Sequence, residues 1–159
     1  MTLLETRKKY GLSQVDASFI LNVPIRTYIR YEINDSYGSE LKRKEMIKAL
    51  INECQITEEK GLLTIEKIAN LLADLFNDKY PGQIVFCYLF GSYAKGYAKE
   101  DSDVDLCVST TLTGLKFVGL SEAIHQVLNK KIDLIRFSNL KDNLTLIQEI
   151  MKDGIKIYG

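Results

Sequence analysis

The sequence predicts an α+β chain whose front third is helical and whose remainder interleaves strands with helices. Three observations carry that expectation. Val85 to Phe90 is an unbroken apolar run, short enough for a buried strand, that stops at Gly91-Ser92. Asp103-Val-Asp-Leu-Cys-Val108 alternates polar and apolar residues with a period of two, as a half-buried strand does. Ile65, Ile68, Ala69, Leu72, Leu75 and Phe76 recur at i, i+3, i+4, i+7, the stripe of an amphipathic helix.

Composition leaves this an ordinary globular chain. Of 159 residues, 46% are hydrophobic and 26% charged, which excludes disordered and fibrous classes. No apolar run approaches the roughly 20 residues a membrane span needs. MTLLETRKK has no apolar segment after its charges, so a soluble, cytoplasmic protein without a membrane partner is expected. Cys54, Cys87 and Cys107 are widely spaced with no paired ligand spacing, and are expected to be reduced core residues. Net charge is zero, but residues 1–50 hold nine Lys or Arg against six acids, so the front is mildly basic and the rest mildly acidic.

Taken in order, residues 12–32 divide into a helix opened by Ser13, a turn at Leu21-Asn22-Val23, and a second helix with Pro24 at its start. Asn22 tolerates the left-handed backbone such a turn requires. The second helix is expected to turn Val23, Tyr28 or Ile29, and Ile33 inward and to expose Arg26, Thr27 and Arg30. Arg26 and Arg30, one turn apart, suit phosphates or guanine edges in a major groove, with a solvated helix face used for packing or dimerisation as the lesser alternative. Tyr28, Tyr31 and Tyr37 are expected to be half-buried core rather than base-stacking residues.

Met46, Ile47, Leu50, Ile51 and Cys54 recur at helical spacing, and the polar stretch that follows is the expected linker. The boundaries predicted are a helical domain over 1–54, a linker over 55–63 and a second domain over 64–159. Thr64 caps the amphipathic helix, and after Pro81-Gly82 come a strand over 84–90, a short helix after the Gly-Ser turn and a strand over 103–109. A helix over 115–129, a strand over 131–136, a helix over 142–152 and a short final strand complete the order. His125, in mid-helix with Glu122 one turn back, is expected to have nothing else converging on it.

The candidate chemistry lies at the Gly-Ser turn after the apolar strand and at the aspartate pair about ten residues later. Asp103 and Asp105, if extended, leave one face about 7 Å apart. Adjacent carboxylates suit magnesium, a hard ion that keeps places for water and phosphate oxygens. Gly91 allows a phosphate close to the backbone, Ser92 and the following N–H groups can bind its oxygens, and Lys95 adds charge one turn on. Singly, Gly-Ser after a strand is a turn and an aspartate near a strand end is a solvated side chain. Type, order, spacing and strand context together specify more.

A hydrophobic residue, Gly-Ser, a gap of about ten and Asp-hydrophobic-Asp resemble the DNA polymerase β-like nucleotidyltransferase superfamily, most closely the minimal nucleotidyltransferases of prokaryotic MNT/HEPN toxin–antitoxin pairs. The likeness covers about residues 65–159 and implies a mixed sheet backed by helices. It implies a third carboxylate on a later strand, matched by Asp133 in Lys-Lys-Ile-Asp-Leu-Ile. Asp103, Asp105 and Asp133 are then the catalytic and metal-binding residues, with Gly91, Ser92 and Lys95 on the nucleotide. Lys95 stands where many members have arginine, which keeps the charge but loses the bidentate fork.

Leu12-Ser13-Gln14, Thr27 and Tyr31-Glu32 resemble the Cro/repressor-like helix-turn-helix family, with Ser18 beside Ala17 in place of the usual small residue and Asn22 in place of the turn glycine. That likeness implies operator DNA as a partner through Gln14, Arg26, Thr27 and Arg30, and by analogy a homodimer. Together the resemblances imply an antitoxin that moves AMP from ATP, with Mg2+, onto a hydroxyl of a HEPN toxin. Few residues follow the Asp pair, so a macromolecular acceptor is expected in place of a built-in acceptor domain; antibiotic-modifying nucleotidyltransferases resemble longer chains. The competing expectation is a DNA-binding regulator whose rear domain binds nucleotide or partner without turnover.

Overall fold

A computed structural model describes residues 1–159, which divide into two compact units, Met1–Gln55 and Ile56–Gly159. The first is all helix: α1 (Leu3–Lys9), α2 (Gln14–Ile20), α3 (Ile25–Ile33) and α4 (Glu40–Cys54). Thr2 and Ser13 each open a helix with a reciprocal capping box, to Glu5 and Asp16 respectively. Pro24 occupies the cap of α3, and Asn22 takes the left-handed conformation at φ 50° that the turn requires. Leu3, Ala17, Tyr28, Tyr31, Met46 and Leu50 form the core.

Two expectations for this unit are corrected. Tyr28 and Tyr31 are buried more deeply than expected, and Ile33 is 72% exposed instead of facing inward. Tyr28 and Tyr31, three residues apart, set the inward face of α3, and Ile33 lies about 200° around the helix from Tyr31. The buried end of α3 is polar: the Glu32 carboxylate accepts from Arg7 Nε (2.6 Å), Gln14 Nε2 (2.6 Å) and the Tyr28 hydroxyl (3.1 Å), which ties α1 and α2 to α3. Burial works against ionisation of Glu32, but these donors outweigh it and hold its pKa below the ordinary value.

In the second unit, α5 (Ile65–Lys79) precedes β1 (Ile84–Phe90), the short α6 (Gly91–Lys95) and β2 (Val104–Thr110). Then come α7 (Leu115–Leu128), β3 (Ile132–Arg136), a 3-10 turn over Phe137–Leu140, α8 (Leu144–Asp153) and β4 (Ile155–Tyr158). The four-stranded sheet runs β3-β2-β1-β4, with β1 antiparallel to β2 and β4, and β2 parallel to β3. Parallel neighbours need a crossover, and α7 supplies it.

Alternation along the strands divides the core between the two sheet faces. Cys87, Leu89, Val104, Leu106 and Val108 pack with Ile68, Leu72 and Phe76 of α5 and Leu120, Ile124 and Leu128 of α7. Phe90 and Cys107 point the other way, against Leu140 and Ile150. Asp105, between Leu106 and Val104 in sequence, shares the second face with Cys107.

Candidate active site

The site begins at a corner only glycine can make. Gly91 follows β1 at φ 68°, and a Cβ added there would lie 2.1 Å from Asp105 Oδ2. The absent side chain lets β1 turn into α6 while the carboxylate of the neighbouring strand fills the space. Ser92 is half-buried on α6, and Gly96 ends that helix in the left-handed conformation at φ 81°.

Asp105 pairs with Phe90 across the antiparallel ladder and stands level with Asp133 across the parallel one. Neighbouring strands lie about 4.8 Å apart, so the two carboxylates leave one face side by side. Asp105 is half-buried and Asp133 exposed. Asp103, also exposed, precedes the first residue of β2, so the strand starts one residue later than expected.

Burial first, then the charges of Asp133, Asp103 and Glu149, push the Asp105 carboxyl up to about 6, with Lys95 acting against them. Glu149, on α8, was missed in the sequence because a helical glutamate reads as a solvated side chain. It binds Lys95 Nζ at 2.6 Å, so the ammonium beside the glycine corner already has a carboxylate partner.

No three acidic, histidine or cysteine side chains are gathered as a finished metal cage. The donor set nevertheless fits a divalent cation: carboxylate oxygens are the ligands magnesium prefers, and their mutual repulsion at Asp105 is what a cation relieves. Asp105 and Asp133 are side by side, and Asp103 lies close enough to act on Asp105 through its charge.

The surroundings correct the expectation for His125. Glu58 reaches its Nε2 at 2.6 Å, and Glu122 lies 3.7 Å from Nδ1. These side chains line a hollow of about 410 Å³ with Asp103, Ser121 and Lys131. A second, more apolar hollow of about 490 Å³, lined by Phe86, Tyr88, Phe137 and Met151 among others, opens on the α8 face and includes none of the three aspartates.

In the helical unit, Arg26 and Arg30 are exposed and Thr27 half-buried. The Arg30 guanidinium lies over the Tyr37 ring at 5.7 Å, while the Gln14 amide is engaged with Glu32.

Residues 66–159 match the family model described as polymerase beta, nucleotidyltransferase. The protein adenylyltransferase MntA of Thermococcus cleftensis is 40% identical over 102 residues, which cover 57% of this chain and 97% of that protein. MntA of Shewanella oneidensis is 27% identical over 92 residues, covering 57% of this chain and 64% of that protein. Among solved structures, a chain from a toxin–antitoxin crystal structure with AMP-PNP is similar at 26% identity and a TM-score of 0.49, covering 57% of this chain and 73% of that one. With the family model spanning the whole sheet and both acid-bearing strands, the chain belongs to the polymerase beta nucleotidyltransferase family of enzymes.

Proposed function

We propose that the sheet unit transfers AMP from ATP to a hydroxyl of a partner protein, and that the partner is the HEPN-type toxin of a toxin–antitoxin pair. The observation that carries this is the placement of Asp105 and Asp133 side by side at the Gly91 corner. The adenylyltransferase names of the relatives support the AMP donor and a protein acceptor. The likeness of Gly91, Ser92, Asp103, Asp105 and Asp133 to the minimal toxin–antitoxin nucleotidyltransferases supports the toxin.

In this reaction the acceptor oxygen attacks the α-phosphorus of ATP, the bond to the bridging oxygen breaks, and pyrophosphate leaves. Asp103, Asp105 and Asp133 would hold magnesium, which would supply neutralising charge for the triphosphate. Gly91 and Ser92 seat the phosphate oxygens at the start of α6. Lys95 exchanges Glu149 for a phosphate oxygen, a swap of one anionic partner for another. Asp133, the more exposed of the side-by-side pair, orients the acceptor hydroxyl and takes its proton. Phosphoryl-type transfer asks mainly for positioning and charge neutralisation, which these residues supply. Incubation with α-labelled ATP, Mg2+ and the protein encoded by the adjacent gene is expected to label that protein and release pyrophosphate. A mixture that yields neither excludes the transfer, leaving a regulator that binds nucleotide or partner without turnover.

The helical unit is proposed to bind operator DNA, as a homodimer, by a helix-turn-helix formed from α2 and α3. The left-handed Asn22 turn between two helices and the exposed Arg26 and Arg30 on the second favour it. Arg26, Thr27 and Arg30 lie on α3 for the groove, while Gln14, at the start of α2, reaches a phosphate only by releasing Glu32. An Arg26→Ala, Arg30→Ala double variant is expected to lose at least about tenfold in affinity for its own promoter and to lower the salt slope by about two. Retention assays at several salt concentrations read both, and wild-type binding by the double variant eliminates this role for α3.

A further inference from the structure

Lys130 is the one charged residue that the fold buries completely. It lies between Asn129, which caps α7, and the start of β3. A buried ammonium is costly unless its hydrogens are matched, and here they are. Nζ donates to the backbone carbonyls of Lys60 (3.3 Å), Glu58 (3.5 Å) and Glu100. The bonds join two loops, far apart in sequence, to the base of an acid-bearing strand.

Glu100 belongs to the turn that leads into the site. Lys99 N–H donates to Ser102 Oγ at 2.8 Å, and Ser102 N–H donates back to the Lys99 carbonyl at 3.0 Å. Val104 N–H then donates to the Lys131 carbonyl at 2.9 Å, next to the first β2–β3 pair. Asp103 is therefore the single residue between a turn held by Lys130 and a strand held by its neighbour Lys131.

We infer that Lys130 is a positioning residue for nucleotidyl transfer: its ammonium fixes the 99–102 turn and thereby sets Asp103 against the Asp105–Asp133 pair. The inference rests on the proposed nucleotidyltransferase site and assigns Lys130 no contact with substrate. A lysine does this where an apolar side chain of equal length does not, because one ammonium satisfies carbonyls from both loops at once.

The test is Lys130→Met, with Ile124→Val, a change in the α7 core, as the control for general loss of stability. Two quantities are read on the full chain: amide hydrogen exchange at Ser102 and Val104 without ligand, and the half-saturating Mn2+ concentration for a non-hydrolysable ATP analogue. In Lys130→Met both are expected to rise by about tenfold, the scale on which supporting residues act on metal sites, with the control near wild type. If Lys130→Met does not fold, Lys130→Gln, which keeps two N–H donors on a shorter stem, is measured in the same way with the same direction expected. A folded variant with wild-type exchange and wild-type Mn2+ response overturns the inference alone. Absence of Mn2+–nucleotide binding by the wild-type chain overturns the proposed site itself and the role of Lys130 with it.

Discussion

Asp105→Asn is expected to lower AMP transfer by about a thousandfold, corresponding to about 4 kcal/mol of lost transition-state stabilisation, while making the metal-free protein more stable above pH 6. The two effects have one origin. Asp105 stands beside Asp133, within the fields of Asp103 and Glu149, and half out of water, so its charge is unfavourable until a cation arrives. Its folded-state pKa, about 6, is raised above the ordinary aspartate value of 3.8. The proton is thus bound more tightly in the folded chain, and the associated stability is complete below pH 3.8 and lost as the pH rises through about 6.

Unscreened, that shift corresponds to about 3 kcal/mol; solvent around a half-buried carboxylate reduces it to about 1 kcal/mol. Asparagine has no charge to repel, so the difference in stability between variant and wild type is expected to open between pH 4 and 7. Denaturant titrations with a chelator at both ends of that range measure it, alongside the transfer assay. A variant that transfers AMP at the wild-type rate removes Asp105 from the site.

Gly91→Ala is expected to cost both activity and stability, for two separable reasons. At φ 68° any L side chain is strained by about 1–2 kcal/mol. The new methyl would also sit 2.1 Å from Asp105 Oδ2 and 2.8 Å from Cγ, so the carboxylate must swing away. Displacing the carboxylate proposed to hold the metal is expected to lower transfer by about a hundredfold, since misplacement of about 1 Å has that scale of effect. Gly96→Ala separates the causes: its φ is 81°, but nothing lies within 4 Å of the added carbon. That variant is expected to show a similar loss in melting temperature with transfer near wild type. Equal losses of transfer in the two variants would reduce the Gly91 effect to backbone strain.

Most of the regular structure was legible because it is encoded locally. The apolar run before Gly91 gives β1, the Ile65-to-Phe76 stripe gives α5, and alternation through Asp105 gives β2 with its carboxylate on one face. Asp133 was identified through the superfamily resemblance, in a segment that also alternates, and the ladder places it level with Asp105. Helix α1 was missed although Thr2 and Glu5 have capping-box spacing, since its seven residues are too few to show an apolar period. Ile33 was misplaced because the inward phase of α3 is set by contacts of Tyr28 and Tyr31 with other helices.

What sequence could not supply are the partners brought in from distant segments. Glu58 on His125, Glu149 on Lys95 and the carbonyls around Lys130 lie far away in the chain, and each partner reads locally as solvated. The Asp105 pKa likewise depends on burial and, beside its neighbour Asp103, on Asp133, Glu149 and Lys95 from three other elements.

The faces of β1 and β2 have a further consequence, for oxidation. Cys87 and Cys107 sit on adjoining strands but on opposite sides of the sheet, one under α5 and α7 and the other under α8. No disulfide can form through the sheet, and burial pushes both thiols up, Cys107 to about 11, so neither offers a thiolate to an oxidant or alkylating dye. Cys54, half-buried in the helical unit, is the one cysteine outside the sheet unit, so oxidative damage to a thiol of the sheet has first to open its core.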